Sequence, residues 1–264
     1  MGIVLTVSNH KGGCGKSTTS VNLSAALRNR GYDVLIIDAD GQANTTDILR
    51  VDTSGGTTYD ALKKRKTPYI QPARVLPPDN GAGVLDVLPS CPDLSAVEVG
   101  LSQEPDRLQR FGTVIDGYRD KYDVIVIDTP PQQGNITFSA LYACDWVVLP
   151  VMPHYLHISG LASILRTVQT IEANRGVQLP RRVLFTMYDN RKSMHRGARE
   201  QVGASGVPVF STVIRENIAL AEAPLMGVDI FRYAPKCKGA EDYAALCQEF
   251  LTVSKVKHRN HGYR

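Results

Sequence analysis

A lysine and a serine stand side by side at Lys16-Ser17, directly after the closely spaced glycines Gly12, Gly13 and Gly15. These residue types in this order suit one task. A glycine-rich turn that opens a helix aims several backbone N–H groups into one concavity, where an anionic phosphate chain can sit. The glycines allow close backbone approach, Lys16 can reach β- and γ-phosphates, and the Ser17 hydroxyl can hold Mg²⁺. Cys14 and Thr18 lie in the same stretch, so phosphate contacts are expected from Lys11 through Thr18. Two carboxylates complete the set. Asp40 follows the apolar run Val34 to Ile37, and Asp128 follows Val124 to Ile127. Carboxylates at the C-terminal ends of parallel strands lie on the edge where open α/β sheets bind ligands. An Asp ending such a strand beside a phosphate-binding loop can hold the Mg²⁺ shell.

The elements that must position these groups follow from periodicity. Ile3 to Val7 reads as a buried strand, and Ser17 to Arg30 places Val21, Leu23, Ala26 and Leu27 at helical spacing before Gly31. Val34 to Ile37 and Val124 to Ile127 are continuous apolar runs of the kind buried on both faces of a parallel sheet. Further strands are expected at Val84 to Leu88, Trp146 to Pro150, Arg182 to Met187 and Val207 to Phe210. Helices are expected over Thr57 to Lys66, Arg107 to Tyr118, Leu156 to Ala173 and Gly239 to Val253, and another carrying Arg196 and Arg199. Residues 51 to 83 carry little pattern beyond the basic run Lys63 to Lys66 and a loop punctuated by Pro68, Pro72, Pro77 and Pro78. The sum is an α/β class protein: a doubly wound, mostly parallel sheet with helices on both faces. One domain is expected over 1 to 254, followed by a basic, disordered tail over 255 to 264.

The 264 residues, 21% charged and 43% hydrophobic, have ordinary composition for a globular chain. The net charge of +4 is unevenly placed, because residues 181 to 264 hold 14 Lys and Arg against 8 Asp and Glu. A basic C-terminal third suits nucleic acid or an acidic partner. The five cysteines are scattered without a Cys-x-x-Cys, which argues against a disulfide framework or zinc site and suits a reducing cytoplasm. The first strand starts almost at Met1, so no signal segment is expected, and no apolar run approaches a membrane span.

Lys11 precedes the glycines, and Lys-Gly-Gly-x-Gly-Lys-Ser resembles the deviant Walker A loop of the ParA/MinD/Soj family of P-loop ATPases. Asp38-Ala39-Asp40-Gly41-Gln42 resembles that family's Asp-x-Asp-Pro-Gln switch segment, with Gly41 in place of proline. Asp128-Thr129-Pro130-Pro131 resembles its Walker B segment, and Ile214 to Pro224 its signature near the adenine pocket. The resemblance runs from Ile3 to about Leu251, with a gap near 51 to 83, and is nearest to short ParA/Soj proteins without an N-terminal DNA-reading domain.

That resemblance implies a Mg²⁺-dependent ATP hydrolase, slow unless a partner stimulates it, with ATP and Mg²⁺ as cofactors. Lys11 would reach the partner's nucleotide in a homodimer closed by ATP, and Asp40 would orient the attacking water near Mg²⁺. The catalytic set would be Lys11, Lys16 and Asp40, the metal set Ser17, Asp40 and Asp128, and Ile214 and Arg215 would flank the adenine. Non-specific DNA would lie against Arg191, Lys192, Arg196, Arg199, Arg215, Lys236 and Lys238. Glu216 and Ala219 depart from family cations there. A ParB-like centromere-binding protein, or another cargo adaptor, would be the stimulating partner in plasmid or chromosome partition. MinD-like relatives end in an apolar-faced membrane helix, which this tail lacks, so the expected place is the cytoplasm, on the nucleoid. Two other readings stay open: the same switch positioning a microcompartment, chemotaxis array or division apparatus, and an iron–sulfur reductase like the nitrogenase iron protein, using Cys91 and Cys144.

Overall fold

The computed structural model describes residues 2–63 and 70–258. Among these, seven strands form one sheet: β1 (Ile3–Val7), β2 (Val34–Asp38), β3 (Ala73–Leu76), β4 (Leu85–Leu88), β5 (Val124–Asp128), β6 (Trp146–Val151) and β7 (Arg181–Phe185). Their order is β3-β4-β2-β5-β1-β6-β7, parallel throughout except for the antiparallel edge strand β3. The helices are α1 (Lys16–Asn29), α2 (Asn44–Ile48), α3 (Thr58–Lys63), α4 (Leu94–Ser102), α5 (Arg110–Asp116), α6 (Asn135–Ala143), α7 (Tyr155–Arg175), α8 (Ser193–Ala204), α9 (Ile218–Met226), α10 (Ile230–Tyr233) and α11 (Lys238–Ser254).

Two cores sandwich the sheet, and strand alternation assigns each residue to one of them. Leu35, Ile37, Ile125 and Ile127 pack under α3 to α8, whereas Val34, Ile36, Val124 and Val126 pack under α1 and α9 to α11. The doubly wound α/β fold expected from sequence is the one observed. Central β1 has β5 on one side and β6 on the other, so the chain leaving β1 and the chain leaving β5 cross to opposite halves. This is the switch point where such sheets bind ligands, beyond the carboxyl ends of the strands. Register brings Val7, Asp38 and Asp128 level there.

Some expectations are corrected. Val207 to Phe210 makes only a single bridge, Val183 with Val209, because Pro208 has no N–H with which to extend a ladder. The segment 107 to 118 opens as a 3₁₀ turn and becomes α-helical only from Arg110 to Asp116. The uninformative 51 to 83 stretch contributes the edge strand β3, whose Arg74 pairs with the buried Asp86 of β4. Lys64, Arg65, Lys66 and Pro68 lie outside the described residues. The tail does not part from the fold at Lys255: Val256 packs on the second core and the His258 ring stacks on Tyr32 at 3.7 Å. Its last residues, 259 to 264, lie outside the described residues.

Candidate functional site

The phosphate loop leaves β1 and turns into α1 through Gly13 (φ 73°) and Gly15 (φ 83°), left-handed conformations that glycine adopts at no steric cost. The leading amides of α1 have no acceptor within the helix and point into the turn. Asn9 anchors the entry by donating to Pro150 O at 2.6 Å and accepting from Lys11 N–H at 3.1 Å. Thr186, at the end of β7, donates to Cys14 O at 2.9 Å and fixes the crown of the loop. Lys16 is buried, and its ammonium donates to Lys11 O at 3.1 Å, curled over the turn it would share with an anion. Burial pushes the Cys14 thiol pKa up, and Cys14 packs as a small apolar residue whose Sγ donates to Lys11 O.

Asp128 is fully buried beside this loop. It accepts hydrogen bonds from Ser20 Oγ at 3.0 Å and Thr45 Oγ1 at 2.8 Å, and the Ser17 hydroxyl lies beside it. Its neighbour Asp38 accepts from Thr46 N–H (2.9 Å), Thr46 Oγ1–H (2.7 Å) and Asp40 N–H (3.2 Å). Burial raises the pKa of both carboxyls, and at Asp38 the charge of Asp128 adds to the rise. Ser17 and Asp128 are hard oxygen donors beside an anion-binding loop, the donor set with which Mg²⁺ binds together with phosphate and water oxygens. The residues present fit that ion. Asp40 is buried one turn away, its Oδ1 accepting from Gln42 N–H at 3.0 Å. It lines a pocket of ≈ 210 Å³ with Gly41, Ser95, Glu98, Pro130, Gln132 and Ile136. The departure at Gly41 has a steric reason, since a Cβ there would stand 2.5 Å from Ser95 Oγ on α4.

Lys11 is exposed and lies along α7, so near Gly160 that a Cβ at that glycine would be 2.9 Å from Lys11 Cγ and Cε. His10 beside it lies within hydrogen-bond reach of Gln133 and Ser163. Burial, then the charge of Lys16, brings its pKa down to about 4.

On the other side of α1 a cavity of ≈ 490 Å³ is lined by Gly15, Thr18, Thr186, Met187, Ile214 and Arg215, then by residues 216–218, Leu220, Ala221 and Tyr243. Its walls are mostly apolar, its size suits a nucleoside, and it opens directly from the phosphate loop. Ile214 and Arg215, expected beside the adenine, line this cavity. The Arg215 guanidinium, however, is held by Asp242 (2.6 Å) and Glu241 (3.0 Å) of α11. The guanidinium expected at DNA is thus already engaged by two carboxylates of its own chain.

The remaining expected DNA contacts divide. Arg191 is exposed but forked onto Asp189 through Nε (3.0 Å) and Nη2 (2.9 Å), and Lys192 faces Glu216 at 3.7 Å. Arg196 donates to Asn190 O and Arg191 O, and Arg199 to Phe210 O and Ser211 O. Lys236 and Lys238 are exposed and, among the described residues, form no ion pair.

Sequence reasoning missed several groups that build the site. Asp38, Thr45, Thr46, Ser20 and Thr186 hold the carboxylates and loop in place. Glu98 of α4 seats its carboxylate on the amides of Asn135 and Ile136, plugging the N-terminus of α6. A signal existed for Asp38, a carboxylate closing an apolar strand. The iron–sulfur reading is corrected. Cys144 is fully buried before β6 starts, at the edge opposite the phosphate loop, and burial pushes its thiol up to about 12. Cys91 follows β4 on the loop edge, so the two cannot serve one cluster.

Comparison with known proteins follows the same geometry. An AAA domain family model matches residues 2–180. The chain is 36% identical over 253 residues to the sporulation initiation inhibitor protein Soj of Bacillus subtilis, covering 94% of this chain and 98% of that one. It is 33% identical over 255 residues to the chromosome partitioning protein ParA of Myxococcus xanthus, covering 95% and 88%. Among solved structures, the septum site-determining protein MinD of Pyrococcus horikoshii with Mg-ADP superposes with a TM-score of 0.74 at 25% identity, covering 98% and 100%. Apo McdA of Cyanothece gives 0.82 at 22%, covering 95% and 100%, a likeness of fold.

Proposed function

Because the chain belongs to the ParA/Soj-type family of ParA/MinD P-loop ATPases, we propose that it is an ATP-driven partition switch that hydrolyses ATP and binds DNA in step with its nucleotide state. One observation carries the reading. Asp128 with Ser17, the open phosphate loop, and the cavity bounded by Gly15, Thr18 and Ile214 form a single track sized for Mg²⁺, a triphosphate and a nucleoside. Mg²⁺, held by Ser17 and Asp128, would neutralise phosphate charge when bound. The Lys16 ammonium is hydrogen-bonded to a loop carbonyl, a partner that an arriving phosphate oxygen can replace. The loop amides add fixed donors in a partly dry site, where such dipoles act strongly. Asp40, buried with Asp38 behind it, is the group to orient water. Its turn bond to Gln42 holds one oxygen and leaves the other for that task. No strong general base stands here, which supports slow turnover without a partner.

Lys11, exposed in the loop and lying against α7, is the residue to enter a second subunit's site in an ATP-closed homodimer. Lys236, Lys238 and Arg196 supply the readiest cations for DNA, and the Arg191–Asp189 and Lys192–Glu216 pairs temper it. A ParB-like protein or another cargo adaptor is the expected stimulating partner, and the nucleoid the expected place of action. No helix of the described residues is long and apolar enough to cross a membrane. The test is a DNA titration with ATP, ADP and no nucleotide at two salt concentrations, beside the Lys16→Ala variant. ATP-dependent, salt-steep binding that disappears in Lys16→Ala is expected. Nucleotide affinity retained in Lys16→Ala would contradict the phosphate-loop assignment.

A further inference from the structure

His10 belongs to no motif of the phosphate loop, yet it joins three elements. Gln133 Nε2 is a donor and lies 2.7 Å from His10 Nδ1, so Nδ1 accepts and the ring proton is left to Nε2, a buried atom without a partner among the described residues. Ser163 Oγ, on α7, is 3.3 Å from the same Nδ1, and Gln133 Nε2 also donates to Ser163 Oγ. The ring is neutral near pH 7, as this acceptor role requires. Each partner comes from a part of the site with its own task. Gln133 ends the segment that begins at Asp128, is tied to β1 by Thr129 Oγ1 donating to Val7 O (3.0 Å), and runs into α6. Ser163 lies three residues beyond Gly160, on the same face of α7 as the glycine beneath the Lys11 stem. His10 itself is flanked by Asn9, fastened to β6, and by Lys11.

We infer that His10 is a positioning residue: through Gln133 and Ser163 it locks the Lys11-bearing turn and the face of α7 to the segment that follows Asp128. The metal side of the site and the lysine directed at a second subunit are then held in one register. Loss of the clamp leaves the Lys16 loop, Ser17 and the base cavity intact, so one subunit still binds nucleotide. What it loses is the alignment of Lys11 with the reacting phosphate. This rests on the ATPase reading above.

The test measures Mg·ATP affinity by a fluorescent nucleotide analogue, ATP turnover, and thermal melting for His10→Leu, His10→Gln and Gln133→Leu in the full chain. One misplaced charge-bearing contact corresponds to roughly tenfold in rate. In His10→Leu and Gln133→Leu, affinity should stay within about twofold of wild type while kcat falls roughly tenfold. His10→Gln, which restores an acceptor, should recover turnover to within about threefold. Wild-type turnover in either leucine variant overturns the proposal. So does a parallel loss of affinity and rate, or a glutamine variant as slow as His10→Leu. Should His10→Leu fail to fold, Gln133→Leu decides, because it removes the contact without altering the loop. A wild-type chain that binds no Mg·ATP overturns instead the ATPase reading beneath the proposal.

Discussion

Replacing Asp38 by Asn probes the electrostatics of the sheet edge. Asp38 and Asp128 end neighbouring strands in direct register, and both are fully buried. Their folded-state pKa values are raised above the unfolded values, by burial first. A group raised in this way contributes stability that is complete below its unfolded pKa and is lost as pH rises through its folded pKa. Without Mg²⁺ and nucleotide, the wild-type chain should therefore weaken from about pH 4, the unfolded value, to about pH 8, where Asp38 ionises. In Asp38→Asn the new side chain keeps an oxygen for Thr46 N–H and Oγ1–H but presents its NH₂ to the Asp40 N–H. That lost bond costs about 1 kcal/mol at every pH. The variant no longer pays for ionising a second carboxylate, and each unit of pKa displacement is ~1.4 kcal/mol. The variant should melt below wild type at the acid end and above it at the alkaline end. The difference between the two melting temperatures should change by roughly 3 °C or more, at about 2–4 °C per kcal/mol for a chain of this size. Thermal melts at the two pH values, with and without Mg²⁺, provide the assay. Parallel wild-type and variant curves would refute the argument, because the two carboxylates would then not share the cost of ionisation.

Three further outcomes are expected. Asp40→Ala should retain nucleotide and accumulate an ATP-bound dimer by light scattering; turnover at the wild-type rate would show that Asp40 does not orient water. Gly41→Ala should destabilise by about 1 kcal/mol, since Ser95 Oγ can rotate but Ser95 N, 3.3 Å from the new Cβ, cannot. Urea unfolding of Gly41→Ala reads the loss, and wild-type stability would show that α4 can shift away from the new Cβ. Arg191→Ala should reduce the salt slope of DNA association by at most about 0.9, because the Asp189 fork already occupies this guanidinium; an unchanged slope places the DNA face elsewhere.

What could be read from sequence was local. The glycines, Lys16 and Ser17 act within a few residues of one another, and Asp128 closes a run whose burial is written in its β-branched side chains. Strand register then delivered Asp128 to Val7 without further information. The partners of these groups come from afar. Thr45 reaches Asp128 across 83 residues, and Asp242 reaches Arg215 across 27, so no spacing rule could show that one cation was free and another paired. In sequence Gly41 was only a departure from the family's proline, whereas in the fold it lets α4 come close. The edge strand β3 escaped notice because its four residues are only partly buried and lack a clear alternation. The order of residues 255 to 258 depends on Tyr32, which no reading of the tail could supply.

Glu98 has a consequence for how a ligand finds its place. Helices α1 and α6 both start at the loop edge of the sheet, after β1 and β5, and both offer a positive pole there. At α6 the Glu98 carboxylate is already seated, accepting from the amides of Asn135 and Ile136. Of these two poles, the one beside Lys16 can take up an anion without first evicting a resident charge. A polyanion approaching this edge therefore meets one open berth and one that has been satisfied from within.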